Sequence, residues 1–217
     1  IICDGSIRSG KTVSMTDGFI LWSMSRFNNQ NFAICGKTIE SLRRNVITLM
    51  PQWLEGIFSI TERRSENKLI ITSGGVTNSY YMFGGKDESS YTLVQGITLA
   101  GVLFDEVALM PRSFVEQAMA RCSVAGSKFW FNCNPENPGH WFCVEWIKKA
   151  RERNILYLHF TMNDNLSLAP EIKARYEGMY TGVFYRRYIL GLWVKAEGLV
   201  YPMFDRSAHI VPKVPAL

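Results

Sequence analysis

One short stretch near the start of the chain limits the possible folds more than any other feature. It spans residues 5–12 and fits the pattern Gly, four residues, Gly-Lys and then Ser or Thr. Glycines at these positions allow a tight turn in which successive backbone N–H groups converge on one anion. A helix that begins at about Gly10 adds the positive end of its dipole. The stretch therefore predicts a phosphate-binding loop formed by Gly5, Ser6, Ile7, Arg8, Ser9, Gly10, Lys11 and Thr12.

The sequence on both sides of this loop has the composition that such a site requires. The apolar run at residues 1–3 suits the end of a buried strand, and apolar residues recur after Thr12 as in a largely buried helix. In this setting Lys11 can reach the β- and γ-phosphates of a nucleotide, and the Thr12 hydroxyl can ligate Mg²⁺. The alternative is a glycine-rich turn that fits the pattern by chance.

An acidic pair follows an apolar strand at residues 101–104. A buried strand that reaches the carboxyl edge of a parallel sheet can aim the acids after it, here Asp105 and Glu106, at the phosphate loop. Asp105 is then expected to hold Mg²⁺ through water, and Glu106 to act as the general base that polarises the attacking water. The alternative is a solvated pair of acids at a strand end.

A further apolar strand, at residues 128–134, ends in amides. Asn132 and Asn134 would lie beside the acids, where they can contact both the attacking water and the γ-phosphate. A shift in their hydrogen bonds can then report hydrolysis. Because Pro135 follows Asn134 and Asn-Pro is an ordinary turn signal, the alternative is a simple turn.

The order of the elements predicts an α/β fold with three layers. Apolar strands alternate with helical patterns, which indicates a mostly parallel central sheet covered on both faces. Between residues 58 and 84 the connections are too short for helical crossovers, so we expect antiparallel strands added at one edge. One domain is predicted at residues 1–195, with a helical C-terminal subregion from about residue 163. Residues 196–217 are expected to be a linker.

Composition limits the class of protein. With 217 residues, 47% of them hydrophobic, the chain is long enough for one sizeable domain. Five cysteines without a CxxC pair argue against a disulfide framework or a zinc site, and a reducing cytosol fits best. No run approaches the ~18 apolar residues that a membrane span needs. The chain begins at Ile1 without an initiator Met, so we expect a processed or excised piece.

The formal net charge of +5 permits a polyanionic partner without showing one. Residues 140–153 are predicted to form an amphipathic helix that ends in basic residues. Such residues complement the helix dipole, which is the simpler explanation, and contact with DNA is the alternative. A second short helix is predicted at residues 181–190.

The order of these parts resembles the ATPase domain of the large terminase subunit of tailed bacteriophages. Phe-Gly-Gly-Lys-Asp and then Gly-Ile-Thr-Leu-Ala-Gly-Val-Leu-Phe-Asp-Glu follow the phosphate loop. After them come Phe-Asn-Cys-Asn-Pro, Leu-Gly-Leu-Trp-Val and Glu-Gly-Leu-Val-Tyr-Pro-Met-Phe-Asp. The loop and the acidic pair are generic to ATPases, whereas the Asn-Pro strand end and the C-terminal segments are more specific. The resemblance, which runs to about Val211, implies a P-loop NTPase fold of the additional-strand, RecA-like type.

This resemblance also implies a function. Such proteins hydrolyse ATP, with Mg²⁺, to drive double-stranded DNA into an empty capsid. The implied partners are the DNA, a portal protein and a small terminase subunit, and the subunits form a homo-oligomeric ring that we expect to be a pentamer. The complex would work in the host cell cytoplasm, away from any membrane, and would be absent from the mature virion.

The resemblance assigns roles to particular residues. Lys11 and Thr12 would bind phosphate and Mg²⁺, Asp105 would hold Mg²⁺, and Glu106 would activate water. The segment from Asn132 to Asn134 matches the motif that couples hydrolysis to motion.

Three arginines receive roles in the same way. Arg8 matches an arginine that terminases often carry within the loop, where it contacts the γ-phosphate. The alternative is that Arg8 faces solvent or pairs with an acid. In a ring, a neighbouring subunit would contribute an arginine to the site. Arg112 and Arg121 are the two candidates, and the sequence does not choose between them.

The chain departs from the family pattern in two places. The segment that contacts adenine precedes the phosphate loop in the family and is missing here, so we expect weaker nucleotide binding. A nuclease domain follows the linker in full-length terminases, so we expect no DNA cleavage by this chain. Two other functions stay open, namely a helicase or recombinase-type ATPase and a non-catalytic, nucleotide-gated docking module.

Overall fold

The structure is a computed structural model, and it describes residues 1–195 and Ile210. Its centre is one eight-stranded sheet with the strand order β3-β4-β5-β2-β6-β7-β1-β8. The strands are β1 (Ile2–Gly5), β2 (Asn31–Gly36), β3 (Ser59–Arg63), β4 (Lys68–Ser73), β5 (Val76–Gly84), β6 (Gly101–Phe104), β7 (Lys128–Asn132) and β8 (Tyr157–Phe160). From β5 to β8 in this order all neighbours are parallel, whereas β3 and β4 are added antiparallel at one edge.

Six α-helical segments accompany the sheet in the described part of the chain. They are α1 (Lys11–Arg26), α2 (Ile39–Leu42), α3 (Met50–Trp53), α4 (Arg112–Ala120), α5 (Pro170–Met179) and α6 (Gly182–Phe184). Wider π-helical turns occur at Arg43–Ile47, Cys143–Ile147 and Tyr185–Ile189. Short 3₁₀ turns complete the connections at Arg64–Glu66, Glu88–Val94, Val107–Leu109 and Met162–Asp164.

Two hydrophobic clusters, one on each face of the sheet, give the domain its layers. Successive residues of β2 point to opposite faces, so that Phe32 joins the cluster under α1 while Ala33 joins the cluster under α4. Tyr80 and Phe19 are fully buried in the first cluster, as is Phe114 in the second. Burial of each such ring stabilises the fold by about 1.5–3 kcal/mol. The expected three-layer α/β fold is confirmed.

The sheet topology brings the loops of interest to one edge. β7 lies between β1 and β6, and these three strands run parallel. Their carboxyl ends therefore open on the same side, where β1 leads into the phosphate loop, β6 into the acids and β7 into the amides. The strand inserted between β1 and β6 agrees with the expected additional-strand type.

The helix predicted at residues 140–153 was wrong in length and type. Helical turns cover only residues 141–147, of which Cys143–Ile147 are π-helical, and turns follow to residue 154. Phe142 and Trp146 both pack on Phe131, at ring-centroid distances of 5.2 and 5.0 Å, which stabilises these first turns. Residues 151–154 are exposed, so no packing stabilises a longer helix.

The C-terminal subregion differs from the rest of the domain in its burial. Neither α5 nor α6 contains a buried residue, and the helix predicted at residues 181–190 widens into the π-helical turn. Within the described part of the chain, none of the helices combines the length and apolar composition that a bilayer crossing requires. The predicted linker at residues 196–217 lies outside the described residues, apart from Ile210, as does the tail from Glu197 to Asp205.

Candidate active site

The loop after β1 needs glycine at defined positions. Gly5 has a φ of 134° and Gly10 a φ of 84°, and a Cβ on Gly5 would lie 1.8 Å from the carbonyl oxygen of Phe160. Arg8 also has a left-handed backbone, with φ at 56°. This conformation is uncommon for a residue with a Cβ. The backbone therefore turns tightly twice before α1 begins, as an anion-binding loop requires.

Lys11 lies inside this loop and is only 6% exposed. Its Nζ donates to the carbonyl oxygens of Gly5 and Ser6 and to Ser9 Oγ. It also donates to Asn134 Oδ1, at 3.1 Å. The ammonium is thus fixed between the loop and the amide-bearing segment after β7, where a phosphate group would find a preplaced positive charge.

Three side chains from separate elements meet next to this lysine. Asn132 Nδ2 donates to Asp105 Oδ1 at 2.6 Å and approaches Thr12 Oγ1 at 3.0 Å. Thr12 Oγ1 in turn lies 3.3 Å from Asp105 Oδ1. Residues predicted on β6, β7 and α1 are therefore brought together in one polar cluster.

This cluster has unused acceptor capacity. Asn132 Oδ1 is buried and no donor among the described residues reaches it. Both hydrogen bonds to Asp105 go to Oδ1, and Oδ2 has no donor within the described chain. A buried polar atom without a partner is unfavourable unless a ligand satisfies it. Oxygen atoms of this kind are the ligands that Mg²⁺ prefers.

Burial changes the titration of both charged groups. Desolvation, with a smaller contribution from Glu106, raises the pKa of Asp105 to about 6, against the hydrogen bonds from Asn132 and Thr12. Desolvation lowers the pKa of Lys11, and the surrounding thiols and carboxylates oppose this change. Each group would gain from a partner of opposite charge, because burial has removed the water that would otherwise stabilise it.

Glu106 has an unusual backbone. Its φ of 60° and ψ of 46° place it in the left-handed region, immediately before the 3₁₀ turn at Val107–Leu109. Such a conformation costs about 1–3 kcal/mol and persists only when the surroundings enforce it. The Glu106 carbonyl accepts from Leu109 N at 2.9 Å, which fixes the turn. Glu106 and Asp105 both line the same cavity.

A cavity of about 520 Å³ connects these parts. Its lining includes the loop, Asp105, Glu106, Asn132 and Asn134. One segment after β2 also lines it, through Arg44, Asn45, Leu49 and Trp53. The cavity thus holds the acids, the amides and the lysine, with room for a nucleotide phosphate chain.

Sequence reasoning missed Arg44, because the pattern after β2 indicated only a buried helix. The π-helical turn at Arg43–Ile47 changes the direction of these side chains. Arg43 pairs with Glu62 at 2.9 Å, whereas Arg44 reaches only Asn45 Oδ1, at 3.4 Å. An exposed arginine on a cavity wall, without a carboxylate partner in the described chain, is available to an anion. In the sequence, the pair of adjacent arginines was the only feature that could have indicated an anion-binding role for Arg44.

Arg8 lines the same cavity, but its side chain is bonded to a residue that is not part of the cavity lining. Its Nε donates to Tyr176 OH at 3.1 Å, and its guanidinium carbon lies 5.7 Å from the Tyr176 ring centroid. Asn165 Nδ2 donates to the Arg8 carbonyl at 2.7 Å. The side chain thus contacts α5 through an aromatic ring, and an acid partner was not found in the described chain.

The two candidate trans-acting arginines lie at opposite ends of α4. Arg112, at the first turn, pairs with Glu116 at 2.6 Å and is half exposed. Arg121 follows the helix, its carbonyl accepts from Leu99 N, and its Nε is buried without an acceptor in the described chain. Neither arginine lines the cavity of its own chain.

A second residue missed by the sequence analysis is Asp4, directly before the loop. Its side chain is fully buried and accepts hydrogen bonds from Tyr157, His159 and Trp193. A single aspartate beside a glycine carries no pattern, and its partners lie more than 150 residues later in the chain. Only the folded structure identifies it.

Residues 2–208 match the family described as terminase large subunit, T4likevirus-type, N-terminal. Among curated proteins, none matches the chain significantly.

Solved structures give a closer comparison. The large terminase of a thermophilic bacteriophage is 60% identical, with a TM-score of 0.88, over 100% of this chain and 53% of that chain. Its complex with ADP is 58% identical with a TM-score of 0.87, and its complex with ATP-gamma-S is 57% identical with a TM-score of 0.85. Both matches cover 100% of this chain. They cover 54% of the chain in the ADP complex and 53% of the chain in the ATP-gamma-S complex. The present chain thus spans about half the length of that terminase.

A distant structure shows the fold alone. An ATPase-domain mutant of the large terminase from Thermus phage P74-26 is 14% identical, with a TM-score of 0.60. The match covers 87% of this chain and 86% of that chain.

Proposed function

We propose that this chain, which belongs to the family described as terminase large subunit, T4likevirus-type, N-terminal, hydrolyses ATP. The hydrolysis would drive double-stranded viral DNA into a procapsid. One observation carries the proposal. Thr12, Asp105 and Asn132, from three separate elements, meet beside the buried Lys11. Such a cluster suits phosphoryl transfer, in which positioning and charge stabilisation supply most of the catalysis.

Nucleotide binding has support from the relatives. Structures of the thermophilic-phage terminase are described as complexes with ADP and with ATP-gamma-S, at 58% and 57% identity to this chain. In the present chain, the loop amides and Lys11 would hold the phosphates, and the cavity of about 520 Å³ has room for them. Lys11 would exchange its bonds to loop carbonyls for bonds to phosphate oxygens.

Thr12 and Asp105 would hold Mg²⁺, with the free oxygen of Asn132 close by. The chain fits this ion because its free acceptors are oxygens, and because Mg²⁺ beside phosphates needs only one or two carboxylates. When bound, the ion would neutralise charge on the phosphates.

Glu106 would take the proton of the attacking water. It lines the cavity and makes no hydrogen bond to Thr12 or Asn132 in the described chain, unlike Asp105, so the two acids can serve different purposes. Asn134, bonded to Lys11, and Asn132, bonded to Asp105, would register the loss of the terminal phosphate. Arg8 would reach the γ-phosphate only after leaving Tyr176.

The proposed partners follow from the family. They are double-stranded DNA, a portal protein, a small terminase subunit and further copies of the chain in a ring, pentameric by expectation. An arginine of a neighbouring copy, Arg112 or Arg121, would complete the site. Assembly would take place in the host cell cytoplasm. The net charge of +5 is compatible with a polyanionic partner.

Steady-state ATPase assays with and without DNA test the proposal. Glu106→Gln should bind nucleotide as the wild type does and hydrolyse it about 10²–10⁴-fold more slowly, because the general base is lost. Glu66→Gln, an exposed acid paired with Arg63 and Lys68 on the edge hairpin, is the matched control and should retain turnover. Full activity of Glu106→Gln would exclude this residue as the base. A wild-type chain that binds ATP without hydrolysing it would favour the docking module.

DNA experiments separate packaging from the helicase alternative. A packaging ATPase should be stimulated by double-stranded DNA and should not separate its strands. Strand separation of a labelled duplex would contradict the proposal.

A further inference from the structure

Asp4 is a buried carboxylate on the far side of the phosphate loop from Asp105. Both of its oxygens are used. Oδ1 accepts from Tyr157 OH and from His159 Nδ1, each at 2.8 Å, and Oδ2 accepts from Trp193 Nε1 at 2.6 Å. A buried charge is tolerated when its hydrogen bonds are complete, and removal of one partner is then strongly destabilising.

The partners of Asp4 differ in what else they could do. The indole N–H of Trp193 can only donate, so its bond requires an acceptor at position 4 in every accessible state. Burial, together with the negative charge of Asp4, raises the pKa of Tyr157 well above its ordinary value, so the hydroxyl keeps its proton. Tyr157 and His159 can each also accept a hydrogen bond, and they donate here because a carboxylate only accepts.

Trp193 ends a segment that packs directly on the phosphate loop. Ile7 N donates to the Tyr188 carbonyl at 2.9 Å. Gly191 has a φ of 68°, and a Cβ there would lie 2.8 Å from Ser6 N and 2.9 Å from Gly5 Cα. Backbone therefore contacts backbone, and no side chain fits between the segment at residues 188–193 and the loop.

We propose that Asp4 is a positioning residue for ATP hydrolysis, which acts through Trp193 to hold residues 188–193 against the phosphate loop. This role rests on the proposed function. The anchor at Trp193 lies two residues beyond the close contact at Gly191. Its loss would free that contact, and the direction of the loop N–H groups and of Lys11 would change with it. Phosphoryl transfer is sensitive to such changes, since a displacement of about 1 Å can cost about 10²-fold in rate.

The substitution Asp4→Asn tests the charge and the acceptors at constant shape. The amide has one acceptor oxygen and one donor NH₂, so Trp193 keeps its acceptor only if Tyr157 and His159 both change from donors to acceptors. In either orientation the bonds to a charged oxygen are replaced by weaker bonds to a neutral group. We expect kcat to fall about 10–100-fold with a change in KM below about 3-fold, because the nucleotide still binds while the loop is misaligned. A purely structural role would lower the melting temperature and leave kcat of the folded fraction unchanged.

Trp193→Phe and the double variant test whether Asp4 acts through Trp193. Trp193→Phe keeps an aromatic ring but removes the N–H donor and the second ring of the indole, while the carboxylate keeps its bonds from Tyr157 and His159. If Asp4 acts through Trp193, the double variant should lose no more kcat than Asp4→Asn alone, since both changes break the same link. Gly191→Ala should reproduce the kcat loss sterically, without touching the carboxylate.

Tyr80→Phe is the matched control for stability. It removes a buried hydrogen bond of 2.7 Å to Ser23, in the cluster under α1 and away from the loop. It should lower the melting temperature and leave kcat unchanged. Wild-type kcat in Trp193→Phe and Gly191→Ala, or multiplicative losses in the double variant, would overturn the role of Asp4. Absence of turnover in the wild type would instead refute the proposed ATPase function, and this role with it.

Discussion

Two buried aspartates lie on opposite sides of the phosphate loop, and their surroundings differ. Asp4 is 0% exposed, and both of its oxygens accept hydrogen bonds from β8 and from Trp193. Asp105 is 5% exposed, and its two donors share Oδ1. Asp105 borders the cavity, whereas Asp4 does not. Burial alone therefore does not identify a ligand-binding carboxylate; unused acceptor capacity beside a cavity does.

The electrostatics of the two sides agree with this distinction. The hydrogen bonds to the Asp105 carboxylate do not offset its desolvation, so the pKa of Asp105 rises to about 6. At Asp4 three donors compensate the charge. We infer that the Asp105 side of the loop performs the chemistry and that the Asp4 side holds the loop in place. The following variants test this division, beginning with the largest expected effect.

Lys11→Ala should have the largest effect. It removes the buried positive charge from the chemical side, so ATP turnover should fall at least about 10³-fold. Lys128→Ala, which changes an exposed lysine at the start of β7 on the opposite sheet edge, is the control. Radiolabelled phosphate release measures both. Wild-type turnover in Lys11→Ala would show that the loop is not the active site.

Asp105→Asn should reduce Mg²⁺-dependent turnover by about 10²–10³-fold, because the carboxylate no longer neutralises charge beside the ion. The variant should also need a higher Mg²⁺ concentration for half-maximal rate. In the wild type, apparent Mg²⁺ affinity should rise as pH increases through about 6, where Asp105 loses its proton. Titrations of Mg²⁺ at several pH values test this, and a flat profile would contradict it.

The same substitution should stabilise the fold above pH 6. The pKa of Asp105 in the folded chain, about 6, exceeds the ordinary value of 3.8, so stability falls as pH rises between these values. Asp105→Asn removes this penalty, and unfolding without Mg²⁺ should show a gain of up to about 3 kcal/mol near neutral pH. The gain should vanish near pH 4. Asp4→Asn should instead destabilise the chain. If both variants changed the free energy of unfolding in the same direction, the proposed difference between the two aspartates would be wrong.

Arg44→Ala should have the smallest effect. An exposed arginine on the cavity wall contributes a screened attraction, so KM for ATP should rise about 3–10-fold, with little change in kcat. Arg64→Ala removes an arginine with an 81% exposed side chain on the edge hairpin and is the control. Equal KM values for both variants and the wild type would remove Arg44 from the site.

The sequence predicted those parts of the molecule that depend on local patterns. The loop before α1, the acids after β6 and the amides after β7 each have a signature within a few residues. Their meeting at one sheet edge followed from the rule that parallel strands share a carboxyl edge.

Features that depend on long-range packing were missed. Asp4 is recognisable only through partners on β8 and beyond. Arg44 lines the cavity from a π-helical turn, and the helical turns at residues 141–147 do not continue because residues 151–154 are exposed and have no packing to stabilise them. Helical periodicity carries no information on such turns.

A crystal structure of the chain with Mg²⁺ and ATP-gamma-S tests most directly that the loop, the acids and the amides surround a single metal–triphosphate. We expect Lys11 Nζ on the terminal phosphates, the ion on Thr12 Oγ1 beside Asp105, and Glu106 facing the terminal phosphate, with Asp4 still bonded to Trp193. A triphosphate outside this cavity, or Asp105 turned away from the ion, would contradict the account.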